Sequence, residues 1–182
     1  MIPSGMSERA LHRAAEELVR ARLAAFGIGL EALPDLPAGR HGLPLGYAML
    51  LPGGQMRVAK VLPRAGPHRR GRQGNLGLHW MLRSDFEDYV ALVDMAREIV
   101  WLLPSGEFRS RAAPVTGGRW HLDWLVVRAA RSRVPDEAEF ERYRLDRDGG
   151  WKLEIGDWKL EDGGTAPASS VQPPPSVKEM TS

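Results

Sequence analysis

Two nearly continuous apolar runs lie side by side in the middle of the chain and restrict the folds open to it. Residues 89–95 (YVALVDM) and 98–103 (EIVWLL) are separated only by Ala96 and Arg97. A connection this short joins antiparallel strands, and strands this apolar are usually covered on both faces. The pattern therefore predicts a buried β-hairpin inside a layered domain.

The remaining pattern adds helices at both ends and a second hairpin. Ser7 can cap a helix over residues 7–26 that ends at Gly27. Residues 47–51 and 55–62 flank a Pro-Gly-Gly turn and predict a hairpin. A short strand near residues 28–30, strands at 76–82 and 120–127, a helix at 136–145 and an exposed, mobile loop at 63–75 complete the prediction. This order predicts an α+β fold: a mixed β-sheet with two hairpins, and an N-terminal helix and a late helix packed against it.

The length of 182 residues is typical of one domain. We expect a single domain over residues 8–161, a disordered N-terminus at 1–7 and a disordered tail at 162–182 that is rich in Gly, Pro and Ser. The near-repeat GWKLEI and DWKLED just before this tail favours a hairpin through Gly156 and Asp157, with a helix as the alternative.

Composition excludes several classes of function. The chain has no cysteine, so disulfides, thiolate nucleophiles and cysteine-ligated zinc are absent. No apolar run approaches the roughly 20 residues that span a bilayer, and no signal-peptide core is visible, so we expect no membrane partner and a cytoplasmic location. The five histidines lack metal-ligand spacing, and neither a P-loop nor a nucleophile elbow is present.

Charge is distributed very unevenly along the chain. The 49 residues 36–84 contain no Asp or Glu and eight Arg or Lys, so this segment is +8, while the whole chain is +2 and the remainder −6. Such a segment concentrates positive potential and predicts a polyanionic partner, DNA or RNA. The expected contacts are Arg57, Arg64, His68, Arg69, Arg70 and Arg72. The alternative is that these arginines are solvated surface residues.

Lys60 lies within the second run of the predicted hairpin, between Ala59 and Val61. Burial of a lysine is costly unless the lysine is paired or functional. The alternative is a lysine at a sheet edge that faces water and protects the edge.

The chain resembles the PD-(D/E)XK nuclease superfamily, in particular its small archaeal-resolvase-like and intron-endonuclease-like members. The resemblance covers residues 8–150. It rests on Glu16, Val19, Leu23 and Gly27 in the first helix, on the hairpin GYAMLLPGGQMRVAKV, on residues 74–80, on DYVALVDMAREIVWLLP and on DEAEFERYRL. It implies a restriction-endonuclease-like core that binds nucleic acid, with Lys60 and Glu16 at catalytic positions.

The same resemblance implies a damaged metal site. The family places an Asp on the first hairpin strand and a Glu or Gln two residues before the lysine, and both hold Mg²⁺. Here the first strand has no acid around Ala48, and the second position is Val58. A hard cation needs oxygen ligands, which these side chains lack. Asp94 or Asp35 is the candidate for a ligand that has migrated from elsewhere in the chain.

Three functions therefore remain open. The first is a nucleic-acid-binding protein that has lost metal-dependent cleavage, with no cofactor. The second is an active Mg²⁺-dependent DNA endonuclease that uses Glu16, Lys60 and a migrated carboxylate. The third is a non-catalytic interaction module whose basic face meets an acidic protein, possible as a homodimer.

Overall fold

The structure is a computed structural model that describes residues 6–33, 43–70, 75–126 and 134–145, together with the backbone of two short strands after residue 150. The first half contains α1 (Glu8–Ala24), β1 (Gly29–Ala32), β2 (Tyr47–Leu50), β3 (Met56–Arg64), β4 (His68–Arg70), β5 (Asn75–Leu82) and β6 (Tyr89–Asp94). The second half contains β7 (Ile99–Pro104), α2 (Ser105–Arg111), β8 (Ala113–Val115), β9 (Arg119–Leu125), a 3₁₀ helix (Glu137–Tyr143), β10 (Glu154–Ile155) and β11 (Trp158–Lys159).

The strands form two larger sheets. Sheet A has the order β1-β2-β3-β6-β7, and all of its neighbours are antiparallel except β3 and β6, which are parallel. Sheet B has the order β4-β5-β9-β8 and is antiparallel throughout. The predicted α+β class with a mixed sheet is confirmed. The sequence did not predict that β4, β5, β8 and β9 form a sheet of their own.

Sheet A is the middle layer of the molecule. Its first face packs against α1, whose residues Ala15, Val19 and Leu23 are buried in one core with Ala59 and Val61 of β3. Its second face packs against sheet B through an inter-sheet core, whose buried members are Leu78, Trp80, Leu82, Val90, Leu92, Trp101, Leu103, Phe108, Leu122, Trp124 and Phe140. All six residues of β6 are buried, which confirms the prediction of a strand covered on both faces.

Local sequence explains the helix and the hairpins. The Ser7 hydroxyl accepts a hydrogen bond from the Ala10 amide at 3.2 Å and caps α1, as predicted. After the helix, Gly27 has φ of 69°, a left-handed conformation that glycine adopts without strain. Both predicted hairpins form, β2 with β3 and β6 with β7. The late hairpin is also confirmed, because Ile155 pairs with Trp158.

One prediction from local pattern is wrong. The segment expected to be a mobile loop contains β4, because His68, Arg69 and Arg70 pair with residues of β5. The late helix forms within the predicted residues, and it is of the 3₁₀ type. Its flanking residues Asp136 and Arg144 are each fixed to another strand by an isolated bridge. A 3₁₀ helix rises about 2.0 Å per residue against about 1.5 Å for an α-helix, so it covers a fixed span with fewer residues.

Parts of the prediction lie outside the described residues, namely the termini at 1–5 and 160–182, Asp35 and Arg72. Among the helices that the structure does describe, none combines the length and the apolar character needed to cross a bilayer. Helix α2 and strand β8 were not predicted, because their seven and three residues give too little periodicity to detect.

Candidate nucleic-acid interface

The C-terminal half of β3 is open on one side. Strand β2 pairs only with residues 56–59 of β3, and within the described part of the chain residues 60–64 have β6 as their single strand neighbour. Lys60 and Arg64 lie on this open stretch. Alternation along the strand directs both side chains away from α1, because Ala59 and Val61 belong to the α1 side.

Lys60 is half-buried, and its ammonium group donates a hydrogen bond to the backbone carbonyl of Leu45, just before β2. Burial lowers the pKa of Lys60, and the charge of Glu87 opposes that shift. The lysine is therefore neither a fully solvated edge residue nor a fully buried one. Its positive charge also reaches His12 on α1, where burial first and then Lys60 lower the pKa of the imidazole.

Arg64 links sheet A to sheet B. Its Nε donates a hydrogen bond to the carbonyl of His79 on β5, and burial lowers its pKa against the opposing charge of Glu8. Four residues further on, β4 is an edge strand of sheet B, on which His68 and Arg69 are exposed. For Arg70 only the backbone position in β4 is described. Lys60, Arg64, His68 and Arg69 thus follow one another along two strand edges, which we call the basic edge.

Arg57 does not belong to the basic edge. It alternates with Val58 and Lys60 and so lies on the α1 side of sheet A. There its charge lowers the pKa of Tyr89, a smaller effect than the rise that burial of this tyrosine causes. The predicted basic residues are consequently divided between two faces, and Arg57 is separated from the others.

The positions expected to hold a metal are adjacent but carry no ligands. Ala48 and Val58 are directly opposite each other in the β2–β3 pair. Glu16 is engaged elsewhere: one carboxylate oxygen accepts a hydrogen bond from Tyr47 Oη at 3.2 Å, and the other pairs with Arg20 Nη2 at 2.5 Å. The side chains present at these positions therefore do not fit Mg²⁺.

Asp94 holds the turn between β6 and β7 and is not close to a group of possible metal ligands within the described residues. It is fully buried at the end of β6, where Oδ1 accepts hydrogen bonds from the amides of Ala96 and Arg97. Its Oδ2 pairs with Arg97 Nε at 2.5 Å, and Arg97 also binds Glu137 at 2.7 Å. Within residues 6–33, 43–70, 75–126 and 134–145, no three His, Asp or Glu side chains are grouped in a way that could hold a metal ion.

Glu87 is a carboxylate near Lys60 that the sequence did not indicate. Its side chain has no exposed surface, Oε1 pairs with Arg109 Nη2 at 2.6 Å, and Oε2 has no hydrogen-bond partner. Its charge raises the pKa of Lys60 because the parallel pairing of β3 with β6 brings residues 87 and 88 alongside Val58. The single trace in the sequence is an acidic residue two positions before the apolar run that begins at Tyr89.

Three histidines, distant in the sequence, also come together. The rings of His68 and His79 have centroids 4.8 Å apart, and those of His79 and His121 are 5.7 Å apart. Asp123 is directly opposite His79 in the β5–β9 pair. Their spacing in the sequence matches no metal motif and predicts no shared site. Only the pairing of β4, β5 and β9 makes them neighbours.

Comparison with known proteins gives a structural likeness and no match in sequence. No family model and no curated protein matches the chain. Among solved structures, it is similar to a bacterial homing endonuclease, I-Ssp6803I, with 17% identity and a TM-score of 0.49, over 76% of this chain and 87% of that one. A likeness at this identity and TM-score assigns neither a family nor an activity to the chain.

Proposed function

We propose that this protein binds DNA or RNA through the basic edge and does not cleave it by a divalent-metal mechanism. The observation that supports this most directly is the run of Lys60, Arg64, His68 and Arg69 along two strand edges within a segment free of Asp and Glu. Exposed strand edges allow phosphates to approach both cationic side chains and backbone amides. Arg72, beyond β4, extends the same segment in sequence.

Loss of metal-dependent cleavage is the second half of the proposal. It is supported by the apolar side chains at Ala48 and Val58 and by the engagement of Glu16 with Tyr47 and Arg20. In this proposal Lys60 contributes positive charge near the phosphates rather than catalysis. The proposal includes the resemblance to the PD-(D/E)XK superfamily, which implies metal ligands at the positions of Ala48 and Val58.

The endonuclease alternative is favoured by one observation, the buried Glu87. Its unpartnered Oε2 and its electrostatic effect on Lys60 make it a better candidate for a migrated carboxylate than Asp94, which is bound to Arg97. This version predicts cleavage of DNA in the presence of Mg²⁺ or Mn²⁺ that Lys60→Ala and Glu87→Gln abolish. Absence of cleavage by the wild-type protein on single-stranded and duplex substrates contradicts it.

The test of binding is the affinity for a nucleic acid as a function of salt, measured by fluorescence anisotropy. About six phosphate contacts give a log–log slope of about −5. Arg69→Ala combined with Arg70→Ala makes the slope less negative by about 2 and weakens binding to every sequence. The matched control is Arg9→Ala with Arg13→Ala, which removes the same charge from exposed positions on α1 and leaves the slope unchanged.

Two outcomes contradict the proposal. One is absence of binding to any nucleic acid at low salt. The other is an equal change in salt slope for the β4 double variant (Arg69→Ala with Arg70→Ala) and the α1 double variant (Arg9→Ala with Arg13→Ala). Equal changes would mean that net charge alone causes the effect. The interaction-module alternative is favoured instead if the protein binds an acidic protein and no nucleic acid, and if the β4 double variant abolishes that binding.

A further inference from the structure

The two faces of sheet B differ in chemistry. The inner face contributes Leu78, Trp80, Leu122 and Trp124 to the inter-sheet core. The side chains between them point outward, and on β4, β5 and β9 these include the three imidazoles. His68 is exposed, whereas His79 and His121 are partly exposed. This outer histidine face is aromatic and accessible, and its neighbouring rings are inclined to each other by 86° and 69°.

The central ring of the face is uncharged near neutral pH. Burial, and after it the positive charge of Arg64, lower the pKa of His79 to about 4, while Asp123 opposes them. A neutral imidazole offers an aromatic surface rather than a cation. Bases of single-stranded nucleic acid stack on side chains of this kind, including histidine.

We propose that the outer histidine face of sheet B, formed by His68, His79 and His121, is a stacking surface for unpaired bases of single-stranded nucleic acid. This inference rests on the proposed function and specifies its ligand. Arg69 is exposed at the β4 edge, and alternation with His68 directs its side chain away from the rings, so the phosphates that it contacts lie at the edge of the sheet.

Sheet geometry favours a single strand over a duplex. The major groove of DNA admits a helix or a two-stranded ribbon, whereas sheet B presents four strands side by side. Bases in a duplex are stacked on each other and cannot lie on the rings without being extruded, which costs a few kcal/mol. Single-stranded bases lie flat on the aromatic face of a sheet, two or three at a time.

Charge also fixes the side on which the phosphates run. Asp123 is opposite His79 and repels phosphate on the β9 side of the face. Arg69 attracts phosphate to the β4 edge of the sheet, outside the face that bears the rings. The sugar–phosphate backbone is therefore expected along β4, with the bases directed across β5 toward His121.

The experiment compares single-stranded and duplex ligands by fluorescence anisotropy at neutral pH and low salt. The probes are oligothymidine and oligouridine of about 20 nucleotides and a DNA duplex of the same length. The variant His79→Ala with His121→Ala is expected to weaken single-strand binding roughly 5- to 150-fold for each base that loses its stacking partner. The paired variant His79→Phe with His121→Phe keeps an aromatic surface and retains binding to within about threefold of the wild type.

The outcomes separate this inference from the proposed function. The stacking surface is overturned if the wild type binds the duplex as tightly as it binds oligothymidine and oligouridine, and if His79→Ala with His121→Ala does not change that binding. This result leaves the basic edge intact. Wild-type binding to none of the probes overturns both. If the phenylalanine pair binds as weakly as the alanine pair while its near-ultraviolet circular dichroism matches the wild type, the rings act through charge or hydrogen bonds, and stacking is wrong.

Discussion

Ala48 and Val58 are directly opposite each other across the β2–β3 pair, so their side chains are neighbours on the same face of sheet A. Ala48 is buried and Val58 is half-buried. Both side chains are apolar where the resemblance to PD-(D/E)XK nucleases expects oxygen ligands. Introducing carboxylates at these two positions therefore tests directly why the side chains present do not fit Mg²⁺.

Ala48→Asp combined with Val58→Glu is expected to lower the free energy of unfolding by about 2 kcal/mol or more in EDTA, because two carboxylates then face each other with little solvation. Mg²⁺ should recover part of this loss, since a hard cation binds paired carboxylates. Thermal unfolding with EDTA and with Mg²⁺ measures both effects. Val58→Glu alone is the control, with a smaller response. An equal rise in the wild-type melting temperature with Mg²⁺ means that a cation site already exists.

Arg97→Met is expected to reduce the free energy of unfolding by about 2–3 kcal/mol in urea denaturation. The substitution leaves the fully buried Asp94 without its guanidinium partner and releases Glu137 at the start of the 3₁₀ helix. The loss is smaller than for a fully buried pair because Arg97 keeps 29% of its side chain in solvent. As a comparison, Arg20→Met breaks the exposed pair with Glu16 and costs about 1 kcal/mol or less. Equal losses for both variants contradict a special role for Asp94.

The low pKa of His79 predicts acid sensitivity. The folded-state pKa of about 4 lies below the ordinary value of 6.5, so the unfolded chain binds more protons between these two values. The stability associated with His79 is therefore complete above pH 6.5 and is lost as the pH falls toward 4. Urea midpoints across this range should show a shallower fall for His79→Phe than for the wild type. His68→Phe, at an exposed position on the neighbouring strand, is the comparison, and an equal flattening by both contradicts the assignment to His79.

The raised pKa of Tyr47 predicts a loss of stability in alkali rather than in acid. Burial raises its pKa above the ordinary value of 10.0, and the nearby Glu16 raises it further. The folded state keeps the proton when the unfolded chain loses it, so stability falls as the pH rises above 10. Tyr47→Phe should reduce this alkaline loss and cost about 1 kcal/mol at neutral pH through the lost hydrogen bond to Glu16. Urea denaturation at neutral pH and above pH 10 tests both signs. An unchanged alkaline slope contradicts the assignment.

Short-range pattern was sufficient for the individual elements. Ser7 and Gly27 bound α1, the Pro-Gly-Gly turn sets the β2–β3 hairpin, and the apolar run before Asp94 becomes a strand that is buried on both faces. Alternation along β3 also puts Ala59 and Val61 on one face and Lys60 on the other. These features depend on residues within a few positions of each other.

The candidate sites depended on contacts between distant segments. Glu87 affects Lys60 only because β3 and β6 are parallel neighbours, and His68, His79 and His121 meet only because β4, β5 and β9 are paired. The packing of α1 against the face that carries Ala59 and Val61 places Arg57 on the α1 side, away from Arg64. The sequence by itself determined the helix, the hairpins and the concentration of positive charge, since these follow from local conformational preference and composition. Tertiary structure alone decided which charges and rings share a face, because strand order and register depend on how the whole core packs.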